Sequence, residues 1–171
     1  MRKLLLGLIV VFGLVVAGVA ANAPVDVPQG WKKIDNARKK GLPKTALKEL
    51  EPILQQSLKT KDYPWAVRAL CLKINLETQI QGNHPQERIK RLEAVLAESP
   101  KEMQPVLQTV LANWYWQFFQ QNRWRFMQRS EASGGDEGDD LMAWSLPRVL
   151  REVDERFQTA LKSAPALKKI M

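Results

Sequence analysis

The chain has 171 residues, with 26 Lys and Arg against 18 Asp and Glu, so its net charge is +8. Apolar residues make up 45% and charged residues 26%, the balance of one ordinary folded domain or a small helical array and not of a disordered chain. Its single cysteine, Cys71, excludes an intrachain disulfide framework and a cysteine-built zinc site, and its single histidine, His84, removes every motif that needs two imidazoles.

Residues 1–21 read as an export signal. Arg2 and Lys3 form a basic start, and Leu4 to Ala21 carries no charge. Val19 and Ala21 are the small residues of a cleavage site, which places the cut after Ala21. An uncleaved segment would sit at the lower edge of membrane-spanning length, so a retained anchor is the alternative. Cleavage leaves 150 residues at +6, in a periplasmic or secreted location. Export sets the meaning of the basic charge: no nucleic-acid partner is expected, and a solvated basic surface near anionic envelope components is the plain reading. Membrane contact is expected only through an uncleaved signal segment.

Residues 22–29, with Pro24 and Pro28, read as an extended tether. From Trp31 the apolar positions Trp31, Ile34 and Ala37 follow helical spacing, and Gly41 with Pro43 stops that helix. A second helix spans about 43–59 through Ala46, Leu47, Leu50, Ile53, Leu54 and Leu58, with Pro52 expected to kink it. A third spans about 63–80 from a cap at Asp62. Gly82-Asn83-His84-Pro85 is a turn into a fourth helix over about 85–98, with proline in its first turn. Ser99-Pro100-Lys101-Glu102 has the spacing of a capping box for a fifth helix from about 100 to 121, with a reach to 128.

The two turns at Gly41-Leu42-Pro43-Lys44-Thr45-Ala46 and Lys61-Asp62-Tyr63-Pro64-Trp65-Ala66 echo each other. Each sets a turn, a proline and then an alanine on the incoming helix. The fold expected is all-α: stacked antiparallel helical hairpins, either a TPR-like solenoid or an irregular bundle, of about six helices after the signal segment, with the hairpin array itself over 30–129.

Residues 114–127, Trp-Tyr-Trp-Gln-Phe-Phe-Gln-Gln-Asn-Arg-Trp-Arg-Phe-Met, are compositionally unusual. Leu107, Leu111, Trp114 and Phe118 make one apolar stripe; Tyr115, Phe119 and Phe126 make the next. Both faces are apolar, which reads as a helix packed centrally. Arg123, Arg125 and Arg129 alternate with aromatics in a way that suits stacking of guanidinium on ring. The candidate partner-contact residues are Trp114, Trp116, Arg123, Trp124 and Arg125, weighed against a plain core role for the helix.

Residues 130–144 read as a flexible acidic loop. Its Asp136, Asp139 and Asp140 lack the spacing of a calcium loop, so a solvated loop that proteases cut first is expected. A sixth helix over about 146–163 carries a stripe of Leu146, Val149, Leu150, Val153, Phe157, Ala160 and Leu161. The chain closes on Lys168-Lys169-Ile170-Met171 with no capping signal, and 145–171 is read as a terminal helix and a truncation point of a longer protein. Cys71 between Leu70 and Leu72 reads as a small buried thiol, and His84 as a cap. No phosphate loop, nucleophile elbow or catalytic carboxylate pair is present, so no enzyme activity, metal or cofactor is expected.

Several stretches resemble the region just after the signal peptide in large bacterial alpha-2-macroglobulin-like proteins. They are Trp31-Lys32-Lys33-Ile34-Asp35, Lys40 to Ala46, Glu51-Pro52-Ile53, Ile80-Gln81-Gly82-Asn83, Ala112 to Trp116, Phe119 to Arg129 and Trp144 to Arg148. The resemblance covers roughly residues 30–165 and implies a helical leader module ahead of β-sandwich domains. Members of that family trap proteases, many through a thioester in a Cys-Gly-Glu-Gln motif. Cys71 is followed by Leu72-Lys73-Ile74, so no trapping residue carries over. Two functions are expected from this: a leader module whose partner is a protein or the rest of a longer macroglobulin-like chain, or a self-standing exported scaffold that binds a protein or peptide.

Overall fold

The computed structural model describes residues 26–82, 84–128, 138 and 140–162. The segment expected to be an export signal, most of the stretch expected to be an acidic loop and the last nine residues lie outside them. Among the described residues the protein is all-α, with seven helices and no strand: α1 Val27–Lys39, α2 Pro43–Lys59, α3 Tyr63–Ile80, α4 Pro85–Glu98, α5 Gln104–Gln121, α6 Arg123–Met127 and α7 Leu146–Lys162. Consecutive helices from α1 to α5 pack side by side, and α7 lies along α5. Short turns joining packed neighbours make each pair a hairpin.

The turns explain the boundaries. After α1, Gly41 takes φ +67° while its N–H reaches the Arg38 carbonyl (3.0 Å) and the Leu42 N–H reaches Ala37 (2.9 Å). After α2, Lys61 takes φ +57°; its N–H reaches Leu58 (3.2 Å) and the Asp62 N–H reaches Ser57 (2.8 Å). Both are the same left-handed helix ending, in which two orphan carbonyls are satisfied by the chain leaving the helix. Ala46 and Ala66 follow at matching positions and both are fully buried, where the missing side chain lets the neighbouring backbone approach. The echo in the sequence is thus a repeated turn.

Two apolar clusters form the interior. One joins α1, α2 and α3 through Trp31, Ile34, Leu50, Ile53 and Leu76. The other joins α3, α4, α5, α6 and α7 through Ile74, Leu92, Leu107, Tyr115, Phe126 and Val149. Helix α3 serves both, with Ala69 turned to the first, Ala66 and Val67 to the second, and Leu70 packed against each. That double duty is why α3 is apolar around most of its circumference.

Four expectations are corrected. The tether expected over 22–29 cannot extend through Gln29, because α1 starts at Val27, where Asp26 Oδ1 accepts the Gln29 N–H (3.1 Å); Pro28 is harmless in a first turn. The capping box at Ser99 does not form. Ser99 Oγ donates back to the Val95 carbonyl (2.6 Å), residues 101–103 make a turn, and α5 begins at Gln104. The acidic loop ends earlier than 144, because Leu141 and Trp144 are buried in the larger cluster. The stripe of the last helix is split: Val149 and Ala160 are buried, while Leu150, Phe157 and Leu161 are exposed. Helix α2 is continuous through Pro52, which faces solvent.

Candidate functional site

The aromatic segment divides into an inward and an outward set. Trp114, Tyr115, Phe118 and Phe119 lie on the buried side of α5, as Leu107 and Leu111 do one and two turns earlier. Asn122 then breaks the helix at φ −113° and ψ 16°. Its side-chain amide donates to the Phe118 carbonyl (2.8 Å), and its own carbonyl accepts the N–H groups of Arg125 (3.0 Å) and Phe126 (3.3 Å). The break resets the helical phase. Phe126 turns fully inward against Phe118 (5.9 Å between ring centres) and Phe119 (6.0 Å), and Trp124 turns out.

The outward set is Trp116, Trp124 and Met127, at 42%, 80% and 56% exposure. Arg123 and Arg125 are exposed beside them. Neither has an ion pair or ring contact among the described residues. The stacking expected of these arginines is therefore not what the structure shows. Arginines from other helices do it instead: Arg68 lies over Trp31 (4.3 Å) and Trp65 (5.0 Å), Arg88 over Trp114 (5.7 Å) and Arg148 over Trp144 (4.1 Å). Of the five sequence candidates, Trp116 on α5 and Arg123, Trp124 and Arg125 on α6 are exposed, whereas Trp114 is a core residue with Arg88 over its ring. Arg129 lies outside the described residues.

A polar cluster that the sequence reading missed lies where α4, α5 and α7 meet. Tyr115 Oη donates to Glu93 Oε1 (2.8 Å), and Arg156 Nη2 donates to the same carboxylate (3.0 Å). Arg156 Nε also donates to Glu152 (2.8 Å). Trp144 stacks on Tyr115 at 5.8 Å and 13°, and Lys90 completes the wall of a cleft of about 390 Å³. Burial, and then the charge of Glu93, push the Tyr115 phenol well above its usual range, so it remains a donor. Arg156 pairs with both carboxylates, and the cluster braces α4, α5 and α7 against one another. Only the spacing of Glu152 and Arg156, one turn apart, was a local signal; Glu93 is 63 residues away from Arg156.

Cys71, His84 and Asp140 stand apart from this cluster. Burial pushes the Cys71 thiol up to about 12, which holds it as an unreactive thiol. His84 occupies the position before α4 but makes no side-chain cap bond. Asp140 accepts the Met142 N–H (2.9 Å) in a tight turn. No group of three or more metal-ligating side chains occurs among the described residues.

No protein-family model matches the chain, and no curated protein and no solved structure matches it.

Proposed function

We propose that this chain is an exported helical docking module that holds a protein partner on its α5–α6 surface and carries no inhibitory or catalytic chemistry of its own. The observation that carries the reading is Trp124, 80% exposed two residues before Phe126, which is fully buried. The core residue fixes the short helix, and the indole is therefore presented on a rigid frame. A pre-placed tryptophan loses little freedom when it is covered, which is why tryptophan and arginine dominate the energetics of protein interfaces. The resemblance to the leader region of macroglobulin-like proteins supports the same role, with the partner surface belonging either to another molecule or to the remainder of a longer chain.

Benzoylphenylalanine placed at position 124 and irradiated in cells should yield a cross-linked adduct of discrete mass. The same group at Lys33, on the far side of the array, should not. The absence of any adduct specific to position 124 would remove the docking role. Export is tested separately: the mature protein should begin at Asn22, and an N-terminus at Met1 would replace cleavage with a retained anchor.

A further inference from the structure

The charge around the α5–α6 surface narrows what can sit on it. Between Met103 and Arg129 the chain contains no Asp or Glu. Helix α5 is uncharged along its whole length, and its exposed positions other than Trp116 are amides and small polar side chains. Arg123 and Arg125 flank Trp124 on α6, and neither has an ion pair with a described residue. The type of cation matters as well. The chain has fifteen lysines, yet none lies between residues 102 and 161. A diffuse anionic surface is met equally well by lysine, whereas a carboxylate is met best by the planar fork of arginine, which binds it through two parallel hydrogen bonds.

Resting on the docking reading, we infer that the partner segment is an acidic peptide stretch with an apolar anchor. Its carboxylates are held by Arg123 and Arg125, and its apolar side chain is covered by Trp124 and Trp116. The exposed glutamines around the patch supply a rim able to donate and accept, as protein interfaces require. Two guanidinium groups alone attract an anionic membrane only weakly, which favours a peptide over a lipid surface.

The test uses the purified chain and three probes: a fluorescein-labelled peptide alternating Glu and Leu, its Lys–Leu counterpart, and phosphatidylglycerol vesicles. The Glu–Leu peptide should bind, more weakly as salt is raised. Trp124→Ala should weaken binding about tenfold or more, with an unchanged melting temperature. Arg123→Lys with Arg125→Lys should weaken it several-fold although charge is kept. Equal binding of the Lys–Leu peptide, no binding of either peptide, vesicle binding in place of peptide binding, or full affinity in the Trp124→Ala variant would each overturn the inference. An adduct from position 124 whose cross-linked segment is not acidic would overturn this chemistry while leaving docking intact, and the absence of an adduct would remove docking itself.

Discussion

Gly41 and Lys61 hold the same place in two successive turns, at φ +67° and +57°, but only one of them is suited to it. A side chain in the left-handed region costs roughly 1–2 kcal/mol, partly offset by the greater freedom glycine loses on folding. Lys61→Gly should therefore raise stability by about 0.5–1 kcal/mol, and Gly41→Ala should lower it by a similar amount. Denaturant titration of both variants checks this, and a destabilised Lys61→Gly would mean its side chain does more than fill a turn. Tyr115 gives the pH counterpart. Its folded pKa is raised above the ordinary 10.0, so below that value both states keep the proton and stability is flat. Above it the unfolded chain releases the proton while the folded chain retains it, and stability falls as pH rises. Tyr115→Phe should lose the hydrogen bond to Glu93, costing about 1–2 kcal/mol at neutral pH. It should also flatten the alkaline limb relative to the parent. Melting curves of both proteins from neutral pH into the alkaline range measure the difference.

Helices bounded by a proline or a left-handed turn were legible from the sequence: 43–59, 63–80 and 85–98 lie where the spacing placed them. Their ends are decided locally, by a missing N–H or a left-handed turn, and local signals suffice. Three features were not legible. Ser99 had two acceptor or donor partners within reach, and the carbonyl one turn back on α4 took its hydroxyl before a new helix could use it. The break at Asn122 is invisible to periodicity, because the aromatics on either side continue a plausible stripe. Finally, the Leu107–Leu111–Trp114–Phe118 stripe already put Trp114 inside, but in a segment apolar on both faces only packing shows that Trp116 and Trp124 face out. That separation has a consequence for stability. Trp114 lies in the larger cluster beneath Arg88, so Trp114→Ala leaves a cavity worth ~3–5 kcal/mol, the usual cost of removing a large core aromatic. Arg125→Ala, on an exposed side chain, should stay within about 0.5 kcal/mol. Thermal melts of the two variants rank them, and an unchanged midpoint for Trp114→Ala would place it outside the core.

The molecule is a helical array in which α2, α3, α4, α5 and α7 are tied to one another by polar links as well as apolar packing. Lys73 bridges α3 to Glu51 on α2 (2.9 Å), Arg91 bridges α4 to Glu77 on α3 (3.1 Å), and Glu93 on α4 takes Tyr115 of α5 and Arg156 of α7. In such arrays stability passes mainly between neighbours, so the shared element decides whether two halves behave as one. Here that element is α3, and Leu70 is the side chain that touches both clusters. Truncating it removes packing from two interfaces at once, whereas truncating Ile53, fully buried in the first cluster, removes packing from one. Leu70→Ala should cost about 2–3 kcal/mol, the lower part of the range for a core leucine because it is only partly buried. Its effect on amide exchange should reach α1–α2 and α4–α5 alike. Ile53→Ala should cost as much or more, yet its loss of protection should concentrate in α1, α2 and the adjoining face of α3. Hydrogen exchange followed by mass spectrometry separates the two patterns, since sub-global openings appear segment by segment. If Leu70→Ala left the protection of either half untouched, α3 would be a spacer between independent units and not the hinge of a single cooperative one. The α5–α6 surface would then take its rigidity from the larger cluster alone.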